Sequence, residues 1–235
     1  MTQASLATSL DSFRLLAVAA VALLSAGCMT ARLEESRSMD TAIASDEAVV
    51  LLAKPQVDGP VAEDEFMDCV AGKVASRSGI LVRENNDFQD SMFPWFEPST
   101  SPQRAEGMAQ LLARPLVRQR IEGSGVRYIV WVDGITRQTD SGGSISCAIG
   151  PGGGGCLGFG WWEKESDYDA IVWDLKQART AGSVSANVTG TSALVGAIVP
   201  LPFIARVQAA ACDRLAEQLA AFLAGTDPSV RTTGS

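Results

Sequence analysis

Histidine is absent from this chain. That removes the imidazole general base, the Ser-His and Cys-His nucleophile pairs, and every histidine-ligated metal site. Chemistry would have to rest on carboxylates, lysine or cysteine. Gly-x-Ser-x-Gly does not occur either, so no serine nucleophile is legible. Basic residues are the minority, 19 Lys and Arg against 27 Asp and Glu, for a formal net charge of -8. Nucleic acid and anionic headgroups both call for clustered Lys and Arg, so neither is an expected partner. Gly150–Gly155 formally satisfies G-x-G-x-x-G, but CLGFGWW follows it and reads as strand. A dinucleotide site needs a helix N-terminus there, and no Gly-Lys-Ser/Thr follows for a P-loop. No catalytic residue, metal ligand or cofactor is assigned, and the chain is read as a non-enzyme.

What is present is concentrated near the start. From Leu15 to Leu24 every residue is apolar, with Arg14 before and small residues after. That pattern is a secretory signal, too short to span a bilayer as a stable helix. Leu24-Ser25-Ala26-Gly27-Cys28 resembles the lipobox of bacterial lipoproteins. The resemblance implies cleavage after residue 27 and acylation of Cys28, so the partner at this end is the membrane, reached through the N-terminal lipid. Acyl chains contribute roughly 0.8 kcal/mol per buried CH₂, and two or three of them hold effectively permanently. By resemblance to enteric lipoproteins, Met29 in place of Asp after the cysteine implies the periplasmic face of the outer membrane.

Four further cysteines remain, an even number that in an exported protein points to disulfides. Cys147 and Cys156 flank the flexible AIGPGGGG and are expected to pair. Closing that short loop would stabilise by roughly 2–3 kcal/mol on the chain-entropy reckoning. Cys69 and Cys212 each fall on the apolar side of an expected helix, and buried thiols or a second bridge remain equally open.

Residues 28–46 are polar, carry both charge signs, lack an apolar stripe and read as a tether. A single α+β domain is expected over residues 47–225, followed by a loose tail at 226–235. Its front half reads β-α-β-α-β. AVVLLA at Ala48–Ala53 is a strand buried on both faces, Glu63–Ser76 a helix and Ile80–Arg83 a short strand. Gln103–Ala113 and Pro115–Glu122 read as helical pieces, and Val126–Asp133 as the clearest strand. Extended segments follow as an antiparallel meander, with turns at Asp133-Gly134, Ser141–Gly143, Gly150–Gly155 and Lys176–Arg179. A helix over Ala205–Ala224 closes the chain on one face of a single mixed sheet. This order, together with the hairpin at Trp173–Val184, resembles the periplasmic α/β lipoproteins that include the curli secretion subunit and the lipoprotein activators of penicillin-binding proteins. FPWFEP and the glycine-rich segment are similar to bacterial lipoproteins more generally.

Two segments are candidate contact surfaces. Phe93–Phe96 is dense in aromatics, and Trp95 and Phe96 could anchor a partner or plug the core. Leu194–Ala205 is the most apolar segment after the signal. Pro200 and Pro202 argue against a helix or a central strand, so it reads as a partly exposed loop presenting Ile198 and Phe203. Glu163, Glu165, Asp167 and Asp169 alternate and could gather a hard cation, but a solvated strand end accounts for them better. The expected role is an accessory or assembly factor working through another envelope protein or its own copies. A subunit of an oligomeric secretion channel is the alternative, and a carboxylate-dependent cell-wall enzyme the third reading. The channel needs long uncharged membrane strands, and the glycines and charges of the meander speak against them.

Overall fold

The structure is a computed structural model that describes residues 29–54, 61–97, 99–102, 104–151, 153–197 and 199–226. The signal, Cys28, Ile198 and all but the first residue of the tail lie outside the described residues. The architecture is α+β, as the sequence implies. Strands β1 (Met29–Arg37), β2 (Ala48–Ala53), β3 (Leu81–Arg83), β4 (Val126–Gly150), β5 (Gly153–Asp174), β6 (Arg179–Ala197) and β7 (Val199–Phe203) form one seven-stranded sheet. The order is β1-β6-β5-β4-β2-β3, with β7 also paired to β6. Helices α1 (Asp64–Ser78), α2 (Asn85–Ser91), α3 (Ala105–Leu112) and α4 (Pro115–Ser124) lie between β2 and β4, and α5 (Val207–Leu223) follows β7.

The chain divides into two compact units. The larger holds Ala31–Arg137, Ser166–Val188 and the chain from Gln208 onward. Here β2 runs parallel to both β3 and β4, and its four central residues are buried because helices cover both faces. On one face Val50, Leu52, Ile129, Trp131 and Trp173 pack with Phe88, Met108 and Ile121 of α2, α3 and α4. On the other, Phe66 of α1 stacks on Tyr168 of β5 with ring centroids 3.5 Å apart. Cys69 of α1 and Cys212 of α5 are joined by a disulfide across a separation of 143 residues, which resolves the choice the sequence left open. Helices α1 and α4 end on Gly79 (φ 68°) and Gly125 (φ 70°), left-handed caps that favour glycine, and α4 opens on Pro115.

Around Tyr168 a buried polar network ties α1 to the sheet. Its hydroxyl donates to Glu63 at 2.5 Å and lies 3.1 Å from Thr136, which in turn meets the buried Ser166 at 2.7 Å. Burial, then the bond to Glu63, pushes the phenol up to about 12. A phenol that titrates near 10 when unfolded therefore keeps its proton longer in the native state. The stabilisation is complete below pH 10 and is lost as pH rises toward 12. Tyr168→Phe is expected to lower stability by about 1–2 kcal/mol at neutral pH and to flatten this alkaline loss. Urea unfolding of both forms between pH 8 and 12, on the order of half-unit steps, reads both effects.

The smaller unit holds Met29–Thr30, Gln138–Glu165 and Thr189–Val207. Two residues separate β4 from β5, and so short a connection joins only antiparallel strands.

Three readings are corrected. Met29–Arg37 is not tether but edge strand β1; nearly all its residues are exposed, so its place rests on backbone pairing, which needs no apolar stripe. Asp133-Gly134 and Ser141–Gly143 are not turns, since β4 runs through both. Their glycines serve close strand approach instead. A β-carbon on Gly134 (φ 138°) would lie 2.2 Å from the Asp167 carbonyl oxygen. Leu194–Ala197 and Val199–Phe203 are not loop, because they pair antiparallel as the end of β6 and as β7, Pro200 opposite Gly196 and Pro202 opposite Leu194. Prolines two apart place their nitrogens on the same side of a strand. An edge strand needs N–H donors toward one neighbour only, so the pair is tolerated there. The short helix α2 has no apolar spacing in NNDFQDS to announce it.

Candidate contact surface

The β4–β5 hairpin carries no charged side chain from Gly142 to Trp162. Its tip is closed by the Cys147–Cys156 disulfide, the pairing expected from the sequence, with Cα atoms 4.0 Å apart. Below the tip, glycine lets the strands cross closely. A β-carbon on Gly143 (φ 102°) or Gly158 (φ 140°) would sit 2.2 Å from a carbonyl oxygen of the facing strand. The Trp161 indole lies beside Gly142, within 3.0 Å of where a β-carbon would stand. Such a hairpin has little side-chain volume with which to bury its own apolar groups. Accordingly Ile149 is 95% exposed, Leu157 78% and Phe159 49%. Charge returns at Glu163, which accepts from the Thr139 hydroxyl at 3.0 Å.

The second element of the smaller unit is the β6–β7 pair. No residue from Thr180 to Ala205 is charged. The buried Ser192 hydroxyl accepts the Ala205 N–H at 3.0 Å and fixes the chain beyond β7. A β-carbon on Gly190 would lie 2.8 Å from Val207, 2.9 Å from Ala205 and 2.9 Å from Met29, so the start of β1 packs on this element. Phe203 is half-buried, while Val195 and Ile204 are exposed. Ile198 falls outside the described residues.

The aromatic segment of the larger unit divides differently from the sequence reading. Phe96 is a core residue, 1% exposed and tilted against Phe88 at 5.4 Å, so its assignment to a contact surface is corrected. Trp95 is half-buried beneath the Arg120 guanidinium, 5.0 Å from the ring centroid. Phe93 is the exposed member. The peptide bond Phe93–Pro94 is cis. No residue pattern announces which of Phe93 and Phe96 is buried, because both are phenylalanines in one short run.

Two grooves of the larger unit carry charge. One, of about 470 Å³, is lined by the Lys54–Asp133 ion pair (3.5 Å), Asp169, Arg104 and the edge of Trp131. Burial first, then Asp167 and Asp133, holds the Asp169 carboxyl above the usual aspartate range. The buried Trp131 N–H has no partner among the described residues. The other, of about 850 Å³, is lined by Glu47, Arg118, Arg127 and Lys176, and Arg127 donates to the fully buried Asp174 at 2.6 Å. That pair, with Lys176 on Glu47, anchors the β5–β6 turn through the Asp174 bond to the Gln177 N–H (2.8 Å). Among the described residues no group of three or more Asp, Glu or Cys is placed to hold a metal ion.

No protein-family model and no curated protein matches the chain. Among solved structures, a point-substituted PelC dodecamer from Paraburkholderia phytofirmans is similar over 84% of this chain and 97% of its own, with 13% identity and a TM-score of 0.40. The PelC dodecamer from the same organism in a second crystal form matches over 85% and 99%, again at 13% identity and a TM-score of 0.40. At that identity and score the likeness is too loose to carry function across.

Proposed function

We propose that this is a lipid-anchored envelope protein at the periplasmic face of the outer membrane, non-catalytic, that works by contact, with the uncharged hairpins of the smaller unit as its working surface. The observation that carries the contact surface is the concentration of exposed apolar side chains there, and the lipobox-like segment at Cys28 supports the anchor. Met29, Ile149, Leu157, Phe159, Val195 and Ile204 all belong to that unit. Apolar groups scattered singly need no explanation, but a charge-free hairpin bearing Ile149 and Leu157 in water does. Phe203 on β7 remains part of this surface at its half-buried margin. The channel-subunit alternative gains one point: the uncharged stretch Gly142–Gly150 of β4 has about the length of a membrane-crossing strand, which the sequence reading did not credit.

In-cell crosslinking followed by extraction and mass spectrometry tests the proposal. Wild-type chain is expected to yield adducts through the smaller unit. Leu157→Asp with Ile204→Asp, exposed positions whose change leaves the core intact, is expected to lose them while the protein stays folded. A ring of identical copies favours the channel and a distinct partner the accessory role. Adducts confined to the larger unit overturn the proposal.

A further inference from the structure

We infer that the end of the β4–β5 hairpin is a second membrane attachment: Ile149, Leu157 and Phe159 seat in the headgroup–acyl boundary of a lipid bilayer. This rests on the reading of the hairpin as a contact surface and names what it contacts.

Three observations favour lipid over protein. The first is that both faces of the hairpin are uncharged. Gly142 of β4 meets Trp161 of β5, and Gly160 meets Ile145, so large apolar groups come from both strands. Successive side chains of a strand point to opposite faces. Leu157, Phe159 and Trp161 therefore share one face of β5, and Ile145 and Ile149 share one face of β4. A protein interface rings its apolar core with a polar rim, whereas a bilayer boundary receives apolar groups from both faces of a seated tip.

The second is the boundary. The uncharged stretch ends at the tryptophan pair Trp161-Trp162, both half-buried, and Glu163-Lys164-Glu165 follows at once, with Asp140 on the other strand. Tryptophan at the edge of an apolar stretch, backed by charge, is the arrangement found where protein crosses from lipid to water.

The third is continuity with the expected lipid site. Met29, the residue after Cys28 in sequence, belongs to the smaller unit and packs beside Gly190. A trans peptide sets successive Cα atoms about 3.8 Å apart. Acyl chains on Cys28 would therefore stand one residue from the unit that bears the hairpin.

The seating is shallow. Open strand edges are not tolerated in hydrocarbon, and among the described residues the strand on the outer side of β4 is β2, whose pairing covers Val126–Val132 and stops short of the tip. At the headgroup boundary, some 5–10 Å in, water and phosphates still serve those backbone groups. With no Lys or Arg from Gln138 to Glu163, the attraction is apolar and independent of headgroup charge.

The test uses the processed chain, residues 28–235, carrying Cys28→Ala so that no acyl chain contributes, with vesicles of phosphatidylcholine alone. Co-sedimentation is expected, persisting at molar salt and not strengthened by adding anionic lipid, with a blue-shifted tryptophan emission. Ile149→Ser with Leu157→Ser is expected to weaken binding by about tenfold or more. Mapping of the Cys147–Cys156 bond and the melting temperature certify that this variant is folded. The inference is overturned if the parent chain does not bind, or if the folded variant binds as well as the parent. In that case surviving in-cell protein adducts at the hairpin leave the contact reading standing, and their absence ends both.

Discussion

Replacing Cys69 and Cys212 together by alanine is expected to lower the melting temperature by about 10–20 °C. The bond joins α1 to α5 across a separation of 143 residues. On the chain-entropy reckoning a loop of that length contributes about 5 kcal/mol by restricting the unfolded chain. Domains hold only about 5–15 kcal/mol in total. Cys212 is buried and Cys69 half-buried, so alanine also removes a little packing. Beside the bond, Lys73 and Arg77 of α1 both reach Asp213 of α5, at 2.5 and 2.8 Å. The hydrogen bond from Lys73, with the two positive charges, holds the Asp213 carboxyl below the usual aspartate range. These half-exposed pairs orient the helices but contribute little against the disulfide. Thermal unfolding with and without reductant measures the effect. A melting temperature indifferent to both mutation and reductant would show that the two thiols do not pair.

The second large effect is expected at Cys28. Cys28→Ala should abolish acylation and processing after residue 27, leaving an unprocessed precursor or a form cut elsewhere. Two or three acyl chains outweigh any other membrane contact of the protein, because each buried CH₂ contributes roughly 0.8 kcal/mol. The shallow hairpin contact cannot replace them. A form cut elsewhere, lacking both signal and lipid, is therefore expected to leave the tightly bound membrane fraction and become extractable without detergent. Mass spectrometry of the wild-type N-terminus decides the premise: an unmodified first residue would end the lipoprotein reading.

The parts of the fold that were legible in sequence are those where local pattern and tertiary setting agree. AVVLLA has the length and continuous apolar run typical of a strand covered on both faces, and α1 and α5 carry apolar spacing with glycine stops. The corrections within the sheet share one cause, which is that sheet edges and close strand crossings are set by the neighbour. MTARLEESR has no apolar alternation because β1 is an exposed edge held by its backbone. Gly134 and Gly143 look like turns, yet the facing strand forbids a β-carbon at both. Pro200 and Pro202 rule out a central strand and say nothing against an edge. The Cys69–Cys212 bond depends on two helices meeting, which no spacing reveals. Phe96 lies in the core, while Ile149 and Leu157, split by a glycine run that reads as a mere loop, are the exposed residues.

One measurement bears most directly on the central claim that the smaller unit is the working surface. A photoreactive side chain is placed at Leu157 in the full chain, expressed and irradiated in living cells, with the same probe at Glu122 of α4 as the exposed control. Leu157 is predicted to give adducts to lipid or protein well above the Glu122 level, because an apolar group 78% exposed on the isolated chain is covered in the envelope. Equal, solvent-quenched yields at the two positions would contradict the account, since the hairpin would then stand in water and contact nothing.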